Sequence, residues 1–148
     1  MLLTGTFHRS VDEKLRVAIP KRLRVALESP EAAALFVAPG TDGSLAIYTE
    51  EAFEQLGKKL ADAPPTGQNV RAFSRLFYAQ AQRVEMDSQG RIRVPPELAK
   101  LASLTKEAVL VGVRDHLELW DRQRWDAYSQ EKQAHYDEIA EQAFHPGT

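Results

Sequence analysis

Two five-residue stretches, Asp12-Glu-Lys-Leu-Arg16 and Asp87-Ser-Gln-Gly-Arg91, carry the residue types needed to bind an anion. In each, a carboxylate stands four residues ahead of a guanidinium. An aspartate that opens a tight turn accepts backbone N–H groups two residues on and locks the loop. Gly90 supplies backbone freedom where φ must be positive. The arginine then stands at the base of the next strand, where its planar fork of donors suits a phosphate or a guanine edge. Lys14, Arg9 and Arg93 add cations close by in sequence. The residues alone support a second reading with equal weight, in which each Asp–Arg pair is an internal salt bridge finishing a hairpin. The two are compatible: Asp12 and Asp87 orient loop and arginine, and Arg16 and Arg91 are shared with an external acceptor.

The elements that position these stretches come in two copies. Asp12, Arg16, Pro20 and Leu23 answer to Asp87, Arg91, Pro95 and Leu98 at one offset of 75 residues. Leu35-Phe-Val-Ala matches Leu110-Val-Gly-Val at the same offset. The offset then falls to 72, matching Leu45-Ala-Ile-Tyr48 to Leu117-Glu-Leu-Trp120 and Phe53 to Trp125. On this alignment the loss falls in the loop where Pro39-Gly-Thr-Asp-Gly43 is replaced by the shorter Arg114-Asp-His116, because length changes belong in loops. Two copies are too few for an open solenoid. They predict two halves related by a pseudo-twofold axis and sharing one core, an α+β domain in which each repeat runs β-hairpin, short helix, β-hairpin, helix.

In chain order, Thr4 to Val11 reads as a strand, residues 12–15 as a turn and Arg16 to Ile19 as a second strand. Pro20 sits near a helix start, where its missing N–H costs nothing. Leu23, Ala26 and Leu27 give that short helix its apolar stripe, and Pro30 limits it. A hairpin around Asp42-Gly43 follows. Thr49 is an N-cap, with Glu50 and Glu51 suited to the positive end of a helix bearing Phe53, Leu56 and Leu60. After a break at residues 62–67, a helix points Val70, Phe73, Leu76 and Phe77 inward. The second copy repeats the pattern, with a short helix over Pro96–Leu101, a hairpin, and Asp121 capping a helix that bears Trp125 and Tyr128. The stretch 129–148 extends that helix and ends in a frayed tail. The boundaries are 5–53 for the first repeat, 54–81 for connecting helices and linker, 82–125 for the second repeat and 126–148 for the C-terminal helix and tail.

With 148 residues and no cysteine, the chain has the length of one domain and no disulfides or thiolate metal sites. His8, His116, His135 and His145 show no ligand spacing, so neither metal nor cofactor is expected. No apolar run approaches the length of a membrane span, the N-terminal residues lack a signal-peptide pattern, and a reducing cytosol is the expected compartment. There is no Gly-rich phosphate loop, nucleophile elbow or H-E-x-x-H, so an enzyme is not expected. Net charge is −2, yet Arg9, Lys14, Arg16, Lys21, Arg22 and Arg24 cluster against only Asp12 and Glu13. Such separation lets one face attract a polyanion. Lys21, Arg22 and Arg24 read equally as phosphate contacts or as a wet helix face. Arg71 and Arg75 read rather as a solvated helix face. Tyr48, Phe73, Phe77, Trp120 and Trp125 fall on apolar stripes and read as core or subunit contacts.

The paired D-x-x-x-R stretches, together with Phe73-Ser-Arg-Leu-Phe77, Leu110-Val-Gly-Val113 and Glu118-Leu-Trp120-Asp, resemble the MraZ family of bacterial transcriptional regulators over roughly residues 4–128. The resemblance implies tandem SpoVT-AbrB-type half-domains with a double-split β-barrel-like fold. It implies a ring-shaped homo-oligomer that binds direct repeats in double-stranded DNA, represses its own cell-division and cell-wall gene cluster, and locates to cytoplasm and nucleoid. The DNA-binding residues would be Arg16, Arg91, Lys14, Arg9 and Arg93, with Asp12, Asp87 and Gly90 orienting the loops. The alternative is an antitoxin-like protein-binding module of the same fold, with residues 129–148 as its partner-binding tail. One departure stands out: the family places Gly before the motif arginine, and the first copy has Leu15. Its turn must therefore adopt a different backbone or carry strain.

Overall fold

The computed structural model describes residues 1–27, 34–63, 67–145 and 147. Among these the order is β1 (Thr6–Ser10), β2 (Arg16–Ala18), α1 (Lys21–Ala26), β3 (Ala34–Pro39), β4 (Leu45–Thr49), α2 (Glu50–Ala61) and α3 (Gln68–Gln80). The second half follows with β5 (Gln82–Glu85), β6 (Arg91–Arg93), α4 (Pro96–Leu101), β7 (Glu107–Gly112), β8 (Leu117–Asp121), α5 (Arg122–Gln133) and α6 (Tyr136–Phe144). The fold is α+β and built from two repeats. The limit set by Pro30 lies outside the described residues.

Six strands form one antiparallel sheet in the order β1-β7-β8-β4-β3-β5, and β2 pairs with β6 in a separate two-stranded ribbon. Exchanging each strand for its counterpart reverses the six-strand order onto itself. The pseudo-twofold axis passes between β4 and β8, where Ala46 pairs with Glu118, and through the ribbon, where Val17 pairs with Ile92. The first strand of each repeat does not add to its own hairpin. β1 lies against β7 and β5 lies against β3. The halves are thus interlocked, and neither completes its sheet alone.

Register corrects one alignment. β3 and β7 correspond at an offset of 73, not 75: Leu35 matches Ala108 and Val37 matches Leu110. Seven residues separate α1 from β3 against five between α4 and β7, and five separate β3 from β4 against four between β7 and β8. Two of the three missing residues are therefore lost before the hairpin and one within its loop. A slip of two along a strand leaves every side chain on its face, so hydrophobic pattern cannot detect it.

Sheet and ribbon enclose one core. Leu35, Val37, Leu45, Ile47, Leu110, Leu117 and Leu119 come from the sheet, Val17 and Ile92 from the ribbon, and Leu23 and Leu98 from the short helices; all are buried. Pro20 and Pro95 start those helices, and Leu23 and Leu98 occupy equivalent places 75 residues apart. Thr49 caps α2, its hydroxyl accepting the Ala52 N–H at 3.1 Å.

Three local expectations change. Asp121 stands at the start of α5 but makes no side-chain cap. Its Oδ1 instead accepts from the Thr105 hydroxyl at 2.6 Å and the Thr105 N–H at 3.1 Å, a tertiary partner outcompeting a local one. On α3 only Phe77 is fully buried, while Phe73 and Leu76 are exposed. Phe73 still stacks on Phe77 with centroids 5.2 Å apart. The C-terminal stretch is two helices rather than one extended helix, with α5 ending at Gln133 and α6 starting at Tyr136.

Candidate nucleic-acid interface

The two Asp–Arg turns have the same geometry. In the first, Asp12 Oδ1 accepts the backbone N–H of Lys14 at 2.9 Å and of Arg16 at 2.8 Å, and Oδ2 accepts Arg16 Nε at 2.6 Å. In the second, Asp87 Oδ1 accepts the N–H of Gln89 and of Arg91, each at 2.9 Å, and Oδ2 accepts Arg91 Nε at 2.9 Å. The Leu15 N–H donates to the Asp12 carbonyl and the Gly90 N–H to the Asp87 carbonyl, both at 3.0 Å. Each aspartate thus closes its own turn and orients the arginine that follows.

Leu15 and Gly90 have φ of 62° and 77°. The first turn therefore keeps the shared backbone, and Leu15 carries the strain of a left-handed conformation. Leu15 packs against the core as a half-buried side chain, which offsets part of that strain. At Gly90 two constraints meet. The φ is positive, and a Cβ there would lie 2.7 Å from Cζ and 2.9 Å from Cδ of Arg24, whose guanidinium packs against the turn.

The carboxyls of Asp12 and Asp87 are held below the ordinary aspartate range, first by the backbone N–H of Arg16 and Arg91 respectively and then by the guanidinium hydrogen bonds, with desolvation opposing. Both stay ionised at neutral pH.

In the ribbon Arg16 pairs with Arg93 and Ala18 with Arg91. Opposite residues in an antiparallel pair share a face, and faces alternate along each strand. Val17 and Ile92 are buried, so Arg16, Ala18, Arg91 and Arg93 all lie on the outer face. The side chains of Arg16 and Arg91 are 33% and 29% exposed, so neither is sealed inside. An arginine has five N–H donors. Among the described residues Arg16 and Arg91 engage only Nε within the chain, leaving their terminal nitrogens for other acceptors.

The remaining predicted residues divide. Lys14 is exposed at the tip of the first turn, and Arg93 is exposed beside Arg16. Arg9 is not on the ribbon; it lies on β1, and its Nε donates to the His8 carbonyl at 2.7 Å. Lys21 and Arg22 are exposed on α1, and Arg71 and Arg75 on α3. Several aromatic side chains pack with one another. Phe36 stacks on Phe53, and Trp120 meets Trp125 and Tyr128. A cavity of about 620 Å³, lined in part by Tyr48, Thr49, Gln55, Arg83, Asp115 and His116, contains no ribbon residue. The sequence alone does not place Arg24 over Gly90. The signal was present in the two copies, because Leu15 and Ala99 stand where Gly90 and Arg24 stand in the other.

Two fused, interlocked half-domains that present matched Asp–Arg turns on one ribbon define a class of tandem-repeat protein. A family described as "MraZ protein, putative antitoxin-like" matches twice, at residues 2–76 and 77–146. The chain belongs to the MraZ family. It is 37% identical over 140 residues to the transcriptional regulator MraZ of Lactobacillus helveticus, covering 95% of both chains. It is 37% identical over 146 residues to that of Saccharopolyspora erythraea, covering 99% of both. It is 39% identical over 140 residues to that of Lactobacillus delbrueckii subsp. bulgaricus, covering 95% of both.

Proposed function

We propose that this chain is a DNA-binding transcriptional regulator that contacts its operator through the outer face of the β2–β6 ribbon. The observation that carries the proposal is the shared face of Arg16, Arg91 and Arg93, with terminal donors unpaired among the described residues. A two-stranded ribbon fits the major groove, where an arginine fork can read guanine O6 and N7 or hold a phosphate. Asp12 and Asp87 act by fixing the turns, and Lys14 adds charge at one tip. Relatives along the whole chain are named transcriptional regulators, which supports the same reading.

One ribbon offers few contacts. We infer that several copies assemble in a ring and engage successive direct repeats, so that later contacts become intramolecular and affinity rises without new chemistry. The exposed Phe73, Leu76 and Tyr78 on α3 provide apolar surface for such assembly. On this reading the protein represses its own cell-division and cell-wall gene cluster and resides in the cytoplasm and nucleoid. Among the described residues no helix is long and apolar enough to cross a membrane.

The test is a mobility shift with the DNA upstream of the chain's own gene, read with particle mass. Retardation that weakens as salt rises, from a particle several chains in mass, supports the regulator. A second reading, the antitoxin-like module, is favoured by the apolar stripe Tyr136, Ile139 and Phe144 left exposed on α6. No retardation, with a small protein co-purifying, would select it instead.

A further inference from the structure

We propose that Arg24 is an additional DNA phosphate contact, serving the Arg91 end of the ribbon as Arg93 serves the Arg16 end. The inference rests on the DNA-binding reading above. It starts from an asymmetry between the copies. At the Arg16 end stand Arg16, Arg93 and Lys14 against Asp12 and Glu13; at the Arg91 end the ribbon itself offers Arg91 against Asp87. The position related to Arg93 is Ala18, and the position related to Lys14 is Gln89. Counting the ribbon and its turns alone, the first end has a net charge of plus one and the second is neutral, while Lys21 and Arg22 stand exposed on α1 beyond the ribbon.

Arg24 restores the balance from outside the ribbon. The Gly90 carbonyl accepts the Ile19 N–H at 2.9 Å, so the end of β2 lies against the second turn. Pro20 then starts α1, and its carbonyl accepts from Arg24 at 3.0 Å, which brings Arg24 back over that turn one helical turn later. Its guanidinium fills the space that a side chain at residue 90 would need. Only glycine leaves room for it. In the other copy Leu15 and the buried Ala99 take the two places, so no cation stands there.

The guanidinium is also short of partners. Among the described residues Arg24 makes no ion pair, and its Nε is buried without a hydrogen-bond acceptor. That Nε is sealed beneath the half-buried side chain, so an approaching phosphate would meet the terminal guanidinium nitrogens, beside a turn whose own arginine faces outward. Phosphate contacts of this kind position a protein on DNA without reading sequence.

The experiment measures affinity for the upstream DNA across a range of salt with wild type, Arg24→Gln, and the double variant Arg24→Gln/Ala18→Arg. Loss of Arg24 should weaken binding and flatten the dependence of log K on log salt by about 0.9 for each engaged copy. The arginine at residue 18, in the place related to Arg93, should restore both. An Arg24→Gln protein with wild-type affinity and slope overturns the inference. So does a weakened Arg24→Gln protein that the second change fails to rescue, because Arg24 is then only a packing group. Should Arg24→Gln fail to fold, Arg24→Met keeps the aliphatic stem over Gly90 and replaces it in both variants. Absence of salt-sensitive binding by the wild type would instead count against the functional reading itself.

Discussion

The backbone N–H of Val94 donates to the carbonyl of Leu15 at 2.8 Å, so the strand leaving the second turn is fastened to the first turn. The reciprocal bond joins Ile19 to Gly90. Each Asp–Arg turn is thus held from within by its aspartate and from outside by the other copy. The two arginines cannot be repositioned independently, which suits the duplex-contacting role proposed for this face.

Replacing Arg16 and Arg91 together by Ala should abolish binding to the upstream DNA and leave particle mass unchanged. Among the described residues each side chain bonds its own aspartate through Nε alone, so a single replacement should cost about 1–3 kcal/mol of binding. Retained binding by the double variant, measured by mobility shift, would remove the ribbon as the contact surface.

Leu15 gives a test of strain. A non-glycine residue in the left-handed region costs about 1–2 kcal/mol. Leu15→Ala keeps that cost and loses the packing against the core. Leu15→Gly loses the same packing but relieves the strain, at the expense of greater freedom in the unfolded chain. Urea denaturation should therefore find Leu15→Gly more stable than Leu15→Ala by about 1 kcal/mol. The reverse order would mean that the turn carries no such strain.

Acid should loosen both turns. Because the folded state depresses the carboxyls of Asp12 and Asp87, their stabilisation is complete above the unfolded aspartate pKa of about 4 and declines as pH falls through the lower folded values. The double variant Asp12→Asn/Asp87→Asn should lose stability at pH 7 and show a shallower acid limb than wild type. Parallel pH profiles from thermal melts would contradict the assignment.

A chain of residues 1–81 should not form a folded monomer. It lacks β7, to which β1 pairs, β5, which pairs with β3, and β6, which pairs with β2. Buried Val17, Leu35 and Val37 would face water. Expressed alone it should be unfolded or self-associated by CD and light scattering, and a stable, fully folded monomer would show that the interlocking is dispensable.

Much of the site was legible because its chemistry is local. An aspartate, a residue of positive φ and an arginine within five positions specify a turn wherever they occur, and the matched pairs at 12/16 and 87/91 marked it twice. The helix over Pro96–Leu101 and the Thr49 cap follow from equally short-range rules. Less was legible where burial depends on neighbours: Phe73 and Leu76 share helical spacing with Phe77, yet only Phe77 is covered.

The amino-acid order by itself determined two similar halves, their turns and which side of each strand is apolar, since those depend on contacts a few residues long and on a period of two or 3.6. Only the tertiary structure decided that β1 joins β7 and β5 joins β3, that Arg93 stands beside Arg16, and that Arg24 covers Gly90. Backbone ladders are chemically alike whichever copy supplies the strand. The choice between pairing within a repeat and pairing across the axis is made by the shared core, which no local pattern encodes.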